Sequence, residues 1–419
     1  MKILYLNLDH GIPVLGQKGA SVHVRSFAGA LVKLGHEVLV LCTRAGEGNP
    51  APAPLIELPR PGEQAIAAEA ALRKIAGFAP DGPAPEDRAL IAELGRLALD
   101  RGLAAQAGDL LAARGFRPDL IYERHALFHH AGAALADAFD ARRIVEVNAP
   151  LIDEQARFRT LRLAAIARRH ESLSLCAADL VVAVSEPVAA YAGTCGVPRE
   201  RLMIVPNGVD TAAFAPPAET VAPAGEGGAG GGGAGVVGFI GSFKPWHGID
   251  FLLDAMEEVA RRRPGIRLLA LGEGPQLAAA RERAAAMAIA SSFPGAIAHA
   301  DIPAALARMD LTVAPYLAQE DFYFSPLKVV ESLAAGCPVV APRIGQIPEL
   351  VADGQTGLLY EPGDLAACRA AILRLLDDPA GRHRMGREAA ARARRDWDWT
   401  RLADRVVRRA MRARAEALA

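Results

Sequence analysis

Short apolar runs alternate with amphipathic segments from the start of the chain. Lys2–Asn7 and Glu37–Cys42 are apolar runs of strand length, and the segment from about Ser21 to Leu34 has apolar residues at helical spacing. A glycine-bearing loop, Gly11–Gly19, joins the first run to this segment. This order of strand, glycine loop, helix and strand predicts the start of a Rossmann-like domain. In such domains ligands bind at the carboxyl end of the strand.

The same alternation continues to the middle of the chain. Four further apolar runs predict additional strands: Asp119–His125, Arg143–Asn148, Asp179–Ser185 and Leu202–Val209. Residues 61–115 carry Ala-rich helical patterns that we expect to cover a face of the sheet. The segment Arg157–His170 predicts a basic helix with a narrow apolar stripe. We interpret it as a solvated surface helix, and a patch for anionic lipid is the alternative.

The composition changes abruptly between residues 214 and 235, where two prolines precede a run made almost entirely of glycine and alanine. Such a segment cannot form a core and behaves as flexible chain, so it predicts a domain boundary. The strand, loop and helix pattern then restarts with Val236–Gly241, Ser242–Gly248 and Ile249–Arg262. We therefore predict an α/β protein with two Rossmann-like domains, residues 1–213 and 236–395, whose parallel sheets face a central cleft.

One stretch of the second half combines a helix start with charged side chains. Ser325 precedes Pro326, which is typical of a capped helix N-terminus, and Gly336 predicts its end after about three turns. The unpaired N–H groups at such a terminus attract phosphate. Lys328 falls in the first turn, where a cation is better accommodated beside an anion, and Glu331 can hold sugar hydroxyls. An ordinary helix with a solvated Lys and Glu is the alternative.

Polar residues also follow the predicted strands of the first half: Glu123, Arg124, His125, Glu146 and Asn148. Parallel strands place such ends along one edge, so we expect them to form a site. In the second half, Lys244 and His247 lie in the loop after its first strand, where cations would sit beside a diphosphate. The spacing of Gly16 and Gly19 is not the dinucleotide fingerprint, which argues against hydride chemistry.

Composition narrows the function classes. The chain has 419 residues, 51% hydrophobic and 23% charged, with a net charge of −1 that gives no pull towards nucleic acid. Five scattered cysteines argue against a disulfide framework and a zinc site. No apolar run is long enough to span a membrane, and the first strand becomes polar too early for a signal peptide. We expect a cytoplasmic protein, and no metal-binding cluster is visible in the sequence.

Several motifs together resemble one enzyme family. They are Ala178–Ser185, Val205–Asp210 with Phe214, Gly241–Gly248, Leu271–Pro275, Ser325–Val340, Gly345–Glu349 and Asp353–Pro362. In this order and spacing, the chain resembles the nucleotide-sugar-dependent glycosyltransferases of the GT-B fold, in the retaining family 4. The resemblance extends to the whole chain, and its motifs keep their order and spacing over more than three hundred residues.

The resemblance implies a nucleotide-sugar donor on the second domain and an acceptor, which is a glycan, a lipid or a small molecule, on the first. It implies catalytic roles for Lys244, His125 and Asn148. It implies donor contacts from ten residues: Gly16, Gly19, Ser242, His247, Gly274, Tyr323, Ser325, Leu327, Lys328 and Glu331. It also implies that the last helix, 396–419, crosses back to the first domain. A weak peripheral contact with a membrane is compatible with this family.

The sequence departs from the family pattern at several of these positions. Tyr323 stands where the first of two paired glutamates is usual, and Ser242 and His247 replace an Arg and a Lys of the donor loop. A double glycine is replaced by Gly345 and Gln346. Asn148 stands where many members have a histidine, and a neutral amide cannot act as a general base. We therefore predict that Asn148 orients a sugar hydroxyl, with His125 as the competing base.

Three other functions stay open on these grounds. A sugar-nucleotide epimerase of similar fold would turn over without an acceptor. A phosphorylase would need a cofactor-binding lysine context that the sequence does not contain. A catalytically inactive nucleotide-sugar-binding protein is favoured by Tyr323 and Asn148, and donor hydrolysis or transfer would distinguish it from an enzyme.

Overall fold

The structure is a computed structural model that describes residues 1–58, 87–216, 235–319 and 322–418, without the side chains of residues 87, 88, 101 and 413–418. The chain forms two units. One consists of Met1–Pro206 with Thr400–Ala419, and the other of Asn207–Trp399. Most of the Gly-rich segment that we predict as a linker, residues 217–234, lies outside the described residues.

The first unit is built on a sheet of seven parallel strands. Their order in the sheet is β3-β2-β1-β4-β5-β6-β7. The strands are β1 (Lys2–Asn7), β2 (Glu37–Cys42), β3 (Leu55–Glu57), β4 (Leu120–Arg124), β5 (Arg142–Val147), β6 (Leu180–Ala183) and β7 (Leu202–Ile204). The six strands predicted from apolar runs are confirmed, and β3 is additional. The short β3 has no fully buried residue, so its pattern is weak.

Six helices accompany this sheet within the described residues. They are α1 (Gly19–Lys33), α2 (Asp87–Ala113), α3 (Ala131–Phe139), α4 (Leu151–Phe158), α5 (Ala164–Cys176) and α6 (Glu186–Thr194). The helical patterns predicted at 61–115 are confirmed in α2, and their part before residue 87 lies outside the described residues.

The single basic helix predicted at Arg157–His170 is wrong, because the chain leaves the helix between α4 and α5. Arg159 adopts an extended conformation, with φ −146° and ψ −162°. The carboxylate of Glu93 then accepts the backbone N–H groups of Arg162 at 3.0 Å and of Leu163 at 2.7 Å. A buried carboxylate on a distant helix therefore starts α5, which the local pattern does not reveal.

The second unit contains a sheet of six parallel strands in the order β10-β9-β8-β11-β12-β13. The strands are β8 (Val236–Ile240), β9 (Arg267–Leu271), β10 (Ser291–Gly295), β11 (Leu311–Val313), β12 (Val339–Pro342) and β13 (Gly357–Tyr360). The helix predicted at Ile249–Arg262 is confirmed with the same bounds. Its apolar face packs on this sheet, with Leu252, Leu253 and Met256 fully buried.

The helices of this half are α7 (Ile249–Arg262), α8 (Leu277–Ala286), α9 (Ile302–Leu306), α10 (Leu327–Ala334), α11 (Ile347–Leu350), α12 (Leu365–Asp377), α13 (Pro379–Asp396) and α14 (Trp399–Leu418). From Thr400 onward, α14 groups with the first unit. In the described ranges, no helix has both the length and the apolar character needed to cross a membrane.

Candidate active site

The loops that follow β8 and β9 lie against each other at the carboxyl edge of the second sheet. Gly241 N donates to Leu271 O at 3.0 Å, and Phe243 N donates to Glu273 O at 2.9 Å. The approach requires glycine, because Gly274 has a φ of 154° and a Cβ there would lie 2.7 Å from Phe243 N. The two loops therefore form one fixed rim, which we call the paired loops.

Lys328, on the first turn of α10, places its ammonium against the paired loops. A Cβ at Gly241 would lie 2.7 Å from Nζ, and the ring centroids of Phe239 and Tyr316 are 4.9 and 4.6 Å from it. The Nζ is inaccessible to solvent and has no hydrogen-bond partner among the described residues. Burial lowers the pKa of Lys328 from 10.5 to about 7. A buried amine without an acceptor is unfavourable, so this position favours an anionic ligand.

His247, at the end of the turn that follows Lys244, is neutral. Its Nδ1 lies 2.5 Å from the carbonyl oxygen of Ser242, so this nitrogen carries the proton and donates it. Burial, followed by the charges of Lys328 and Lys244, lowers the pKa of His247 to about 3. As its surroundings stand, His247 therefore adds no positive charge to this loop, and its predicted contact with the donor stays a prediction. Its imidazole instead holds the backbone at Ser242.

The predicted capping of α10 by Ser325 is also wrong. The helix begins at Leu327, and no side chain caps its N-terminus. The Ser325 hydroxyl instead accepts the backbone N–H of Asn207 at 2.8 Å, and the Asn207 amide donates to the Ser325 carbonyl at 2.6 Å. The helix has 8 residues, about two turns and not three. Its positive end is thus left without a side-chain cap, as an anion site requires.

Glu331 lies one turn after Lys328 and is only 7% exposed. Its Oε1 is 2.7 Å from Nε2 of His299, which begins the turn after β10. The ring of His299 in turn lies 5.6 Å from that of Phe214. The alternative of a solvated Lys and Glu is therefore wrong for both side chains. Both are held at the carboxyl edge of the second sheet.

The other predicted donor residues of the second unit differ in exposure. Lys244 is exposed, and its Nζ lies 4.9 Å from the ring centroid of Trp246. Tyr323 is 8% exposed and its ring centroid lies 4.4 Å from that of Phe324. Leu327 is half-buried. Of the two predicted lysines, Lys328 is thus fixed in place and Lys244 is open to solvent.

Glu146, near the end of β5, is the centre of a buried polar cluster in the first unit. Arg124 donates to its Oε1 at 2.9 Å, and His23 Nε2 lies 2.7 Å from its Oε2. The Tyr122 hydroxyl and the Asn148 amide also donate to this carboxylate. Burial would raise the pKa of Glu146, but His23, Arg124 and Asn148 outweigh it and lower that pKa to about 2. Glu146 is therefore an anion that orders its surroundings.

Glu123 and His125 do not join this cluster. Successive side chains of a strand point to opposite faces of the sheet. Glu123 and His125 therefore lie on the face opposite to Arg124. Glu123 accepts a hydrogen bond from Arg143 Nε at 2.7 Å, and His125 Nε2 lies 2.8 Å from Oε1 of Glu171. The expectation that all five strand-end residues form one site is therefore wrong for Glu123 and His125.

Gly16 lies before α1 in the first unit, and Gly19 is the first residue of that helix. The carbonyl of Gly16 accepts hydrogen bonds from Arg25 at 2.5 Å and from Asn49 at 3.3 Å. The loop is thus fixed from two sides. Its contact with the donor stays a prediction.

Two histidines at these sites were not singled out from the sequence. His23 lies on the same predicted helix face as Phe27, and a polar residue on an apolar face is a usable signal of a buried partner. His299 carries no such signal, because it lies in a turn and reaches Glu331 only through the fold.

Comparison with known proteins assigns the chain to a family. Residues 17–213 match the family model described as glycosyltransferase family 4, and residues 234–378 match the one described as glycosyl transferases group 1. Glycogen synthase of Mycobacterium tuberculosis is 27% identical over 96% of this chain and 92% of its own length.

Two solved structures show the same fold at full length. Sucrose-phosphate synthase from Thermosynechococcus elongatus has a TM-score of 0.68 at 20% identity, covering 100% of both chains. Anabaena HepE in complex with UDP has a TM-score of 0.66 at 19% identity, covering 97% of this chain and 99% of its own. With two parallel-stranded sheets and family matches in both halves, this chain belongs to the family-4 glycosyltransferases of the GT-B fold.

Proposed function

We propose that the protein is a retaining glycosyltransferase that moves a sugar from a nucleoside diphosphate sugar to a hydroxyl of an acceptor. The bond between the anomeric carbon and the diphosphate oxygen breaks, and its electron pair stays on the diphosphate. A bond from the acceptor oxygen to the same face of the anomeric carbon forms, and the acceptor proton passes to the diphosphate. Stabilising the negative charge on that leaving group is the main requirement.

The observation that carries this proposal is the buried, unpaired ammonium of Lys328 at the uncapped N-terminus of α10. A diphosphate bound beside the paired loops would supply the missing hydrogen-bond acceptor and would restore the charge of the amine. Lys244, exposed on the same loop, is the second cation that we assign to the leaving group. We infer that these groups stabilise the diphosphate without a metal, so transfer should persist in EDTA.

Glu331 is the group that we assign to the ribose hydroxyls. Its Oε1 is already engaged by His299, which fixes the carboxylate and leaves Oε2 to accept from a ligand. Tyr323, Leu327, Ser325, Ser242, His247 and Gly274 then shape the donor site around these charged groups. Gly16 and Gly19 complete the predicted set of donor contacts.

We assign acceptor positioning, not proton transfer, to Asn148. Its amide nitrogen is held by Glu146, which orients the side chain, and an amide has no proton-accepting nitrogen. His125 is the competing base, but its Nε2 is engaged by the buried Glu171. The acceptor is a glycan, a lipid or a small molecule, and the protein contacts membranes peripherally at most.

A thermal-shift panel of UDP, ADP and GDP with their sugar conjugates tests the donor assignment. A ligand present at a hundred times its dissociation constant adds about 2.7 kcal/mol to stability. At least one nucleotide should raise the melting temperature of the parent and leave that of Lys328→Met unchanged. Proton NMR of the transfer product should then show the anomeric configuration of the donor. No stabilisation by any nucleotide, or an inverted product, would refute the proposal.

A further inference from the structure

The buried carboxylate of Glu146 is held from two sides in the first unit. His23 Nε2 lies 2.7 Å from Oε2 of Glu146, and the Tyr122 hydroxyl donates to the same oxygen. Arg124 donates to Oε1 at 2.9 Å, and so does the amide of Asn148. His23 belongs to helix α1, whereas Asn148 follows strand β5. The carboxylate therefore connects a helix to a residue at the carboxyl edge of the sheet.

An aromatic contact places His23 over this carboxylate. Phe27 lies one turn after His23, and its ring packs on that of Tyr122 with 4.3 Å between the centroids. The rings of His23 and Phe27 are stacked, with centroids 6.3 Å apart. Tyr122 and Arg124 face the same side of β4, and Arg124 lies beside Glu146 in the register of β4 and β5. The apolar packing of α1 therefore sets the position of His23 above this row of polar side chains.

The charge of Glu146 fixes the direction of these hydrogen bonds. Burial raises the pKa of Glu146, but His23 and then Arg124 outweigh it and lower that pKa to about 2. An ionised carboxylate only accepts hydrogen bonds. Nε2 of His23 must therefore carry a proton, and the amide of Asn148 must turn its nitrogen towards Glu146. The carbonyl oxygen of Asn148 then points away from the carboxylate.

This outward oxygen of Asn148 can receive a ligand. The side chain is half-buried, and its Oδ1 is not buried and accepts no hydrogen bond from the part of the chain that the structure describes. An amide oxygen accepts a hydrogen bond from a hydroxyl group and cannot donate one. Asn148 thus presents a hydrogen-bond acceptor at the edge of the sheet where ligands of such folds bind.

We propose that His23 is a positioning residue for the acceptor. By holding Oε2 of Glu146, His23 directs Oε1 to the amide nitrogen of Asn148. The amide oxygen then accepts the hydrogen bond of the acceptor hydroxyl. This inference rests on the proposed transfer reaction and adds to it the residue that fixes the orientation of Asn148. A buried ionic cluster rarely stabilises a protein more than apolar side chains of similar volume, which favours a role in the site over a purely structural one.

The ratio of sugar transfer to donor hydrolysis within one reaction tests this role. UDP-, ADP- and GDP-sugars are supplied with an excess of methyl glucosides and methyl mannosides. The glycoside product measures transfer, and the nucleoside diphosphate released beyond it measures hydrolysis by water. Hydrolysis needs no oriented acceptor, so a loss of positioning lowers the ratio, whereas a smaller folded fraction lowers both rates equally.

Two substitutions of His23 separate its hydrogen bond from its bulk. His23→Leu removes the donor to Glu146 and should lower the ratio of transfer to hydrolysis about tenfold. His23→Gln keeps an N–H donor and should keep the ratio within about twofold of the parent. His36→Leu is the matched control, because this histidine lies beyond the end of α1, and it should leave the ratio unchanged.

Further variants test whether His23 acts through Asn148. Asn148→Ala should also lower the ratio about tenfold, and combining it with His23→Leu should lower the ratio no further, because both remove the same interaction. Tyr122→Phe removes the other partner of Oε2 and should lower the ratio in the same direction. This variant keeps the test decisive if His23→Leu does not fold.

Two results would overturn this inference and leave the proposed transfer intact. One is the ratio of the parent in both His23→Leu and Tyr122→Phe. The other is a loss in the double variant that equals the product of the two single losses, which would show that His23 and Asn148 act independently. A parent protein that neither hydrolyses nor transfers any of these donors would contradict the proposed function itself, and this inference with it.

Discussion

Replacing Lys328 by methionine should stabilise the protein and abolish donor binding. Methionine keeps the apolar stem between Phe239 and Tyr316 and removes an ammonium that has no hydrogen-bond acceptor among the described residues. The pKa of Lys328 falls from 10.5 to about 7 on burial. A difference of 10.5 − 7 units at ~1.36 kcal/mol each sets an upper bound of about 5 kcal/mol on the cost of this lysine. Relaxation of the protein around the charge makes the actual cost smaller than this bound. We therefore expect Lys328→Met to raise the free energy of unfolding by about 2 kcal/mol.

The sign of the pH dependence follows from the same shift. Below pH 7 the amine of Lys328 is protonated in both the folded and the unfolded state. The folded state then bears the full cost of burying the charge. Between pH 7 and 10.5 the unfolded chain binds a proton that the folded chain does not, so the stability of the parent rises with pH. The advantage of Lys328→Met over the parent should therefore be largest below pH 7 and shrink as the pH rises towards 10.5.

Urea unfolding at pH 6.5 and pH 9, with UDP, ADP and GDP binding measured in parallel, checks both parts of this prediction. Lys244→Met is the matched control, because this lysine is exposed and its replacement should change the free energy of unfolding by about 0.5 kcal/mol or less. A Lys328→Met protein that is less stable than the parent, or that binds nucleotide with the affinity of the parent, would refute the reasoning.

Four further variants test the assigned roles. Glu331→Ala and Lys244→Ala should each raise the barrier to transfer by roughly 2–4 kcal/mol, measured as kcat/KM, and normal turnover in both would place the donor elsewhere. Glu146→Gln should lower the free energy of unfolding at pH 7 by about 3 kcal/mol, because Arg124 loses its buried charge partner. Since the pKa of Glu146 is lowered from 4.5 to about 2, that difference should disappear as the pH falls through this range. His125→Gln should keep the pH–rate profile of the parent, and losing an ionisation near pH 6–7 with about a 10²-fold drop in turnover would identify His125 as the base.

Local pattern was sufficient for several elements of the two units. β1, β2 and α7 have the predicted bounds, because their apolar residues repeat at the period of a buried strand or an amphipathic helix. Lys328 and Glu331 could also be singled out, because charges near a predicted helix start are visible in the sequence. The position of the candidate donor site in the chain was therefore predictable.

The partners of these residues were not predictable, because they depend on long-range contacts. Local geometry would allow Ser325 to cap its own helix, but its hydroxyl instead accepts a hydrogen bond from the backbone N–H of Asn207. The sequence predicts a cation at His247, but burial in the folded loop, followed by the charges of Lys328 and Lys244, lowers its pKa. A single helix was predicted through Arg159 because nothing nearby shows that the distant Glu93 starts a second one.

Calorimetric titration of UDP, ADP and GDP at pH 8 tests the central claim most directly. The claim is that a diphosphate leaving group is bound beside the paired loops and is stabilised by Lys328. At this pH the free amine is mostly neutral, and binding of a diphosphate should protonate it. Repeating the titration in buffers of different ionisation enthalpy measures this uptake. We predict one-to-one binding of at least one nucleotide with uptake of about one proton, which disappears in Lys328→Met. Binding without proton uptake, or uptake that persists in the variant, would contradict the assignment of Lys328 to the donor phosphates.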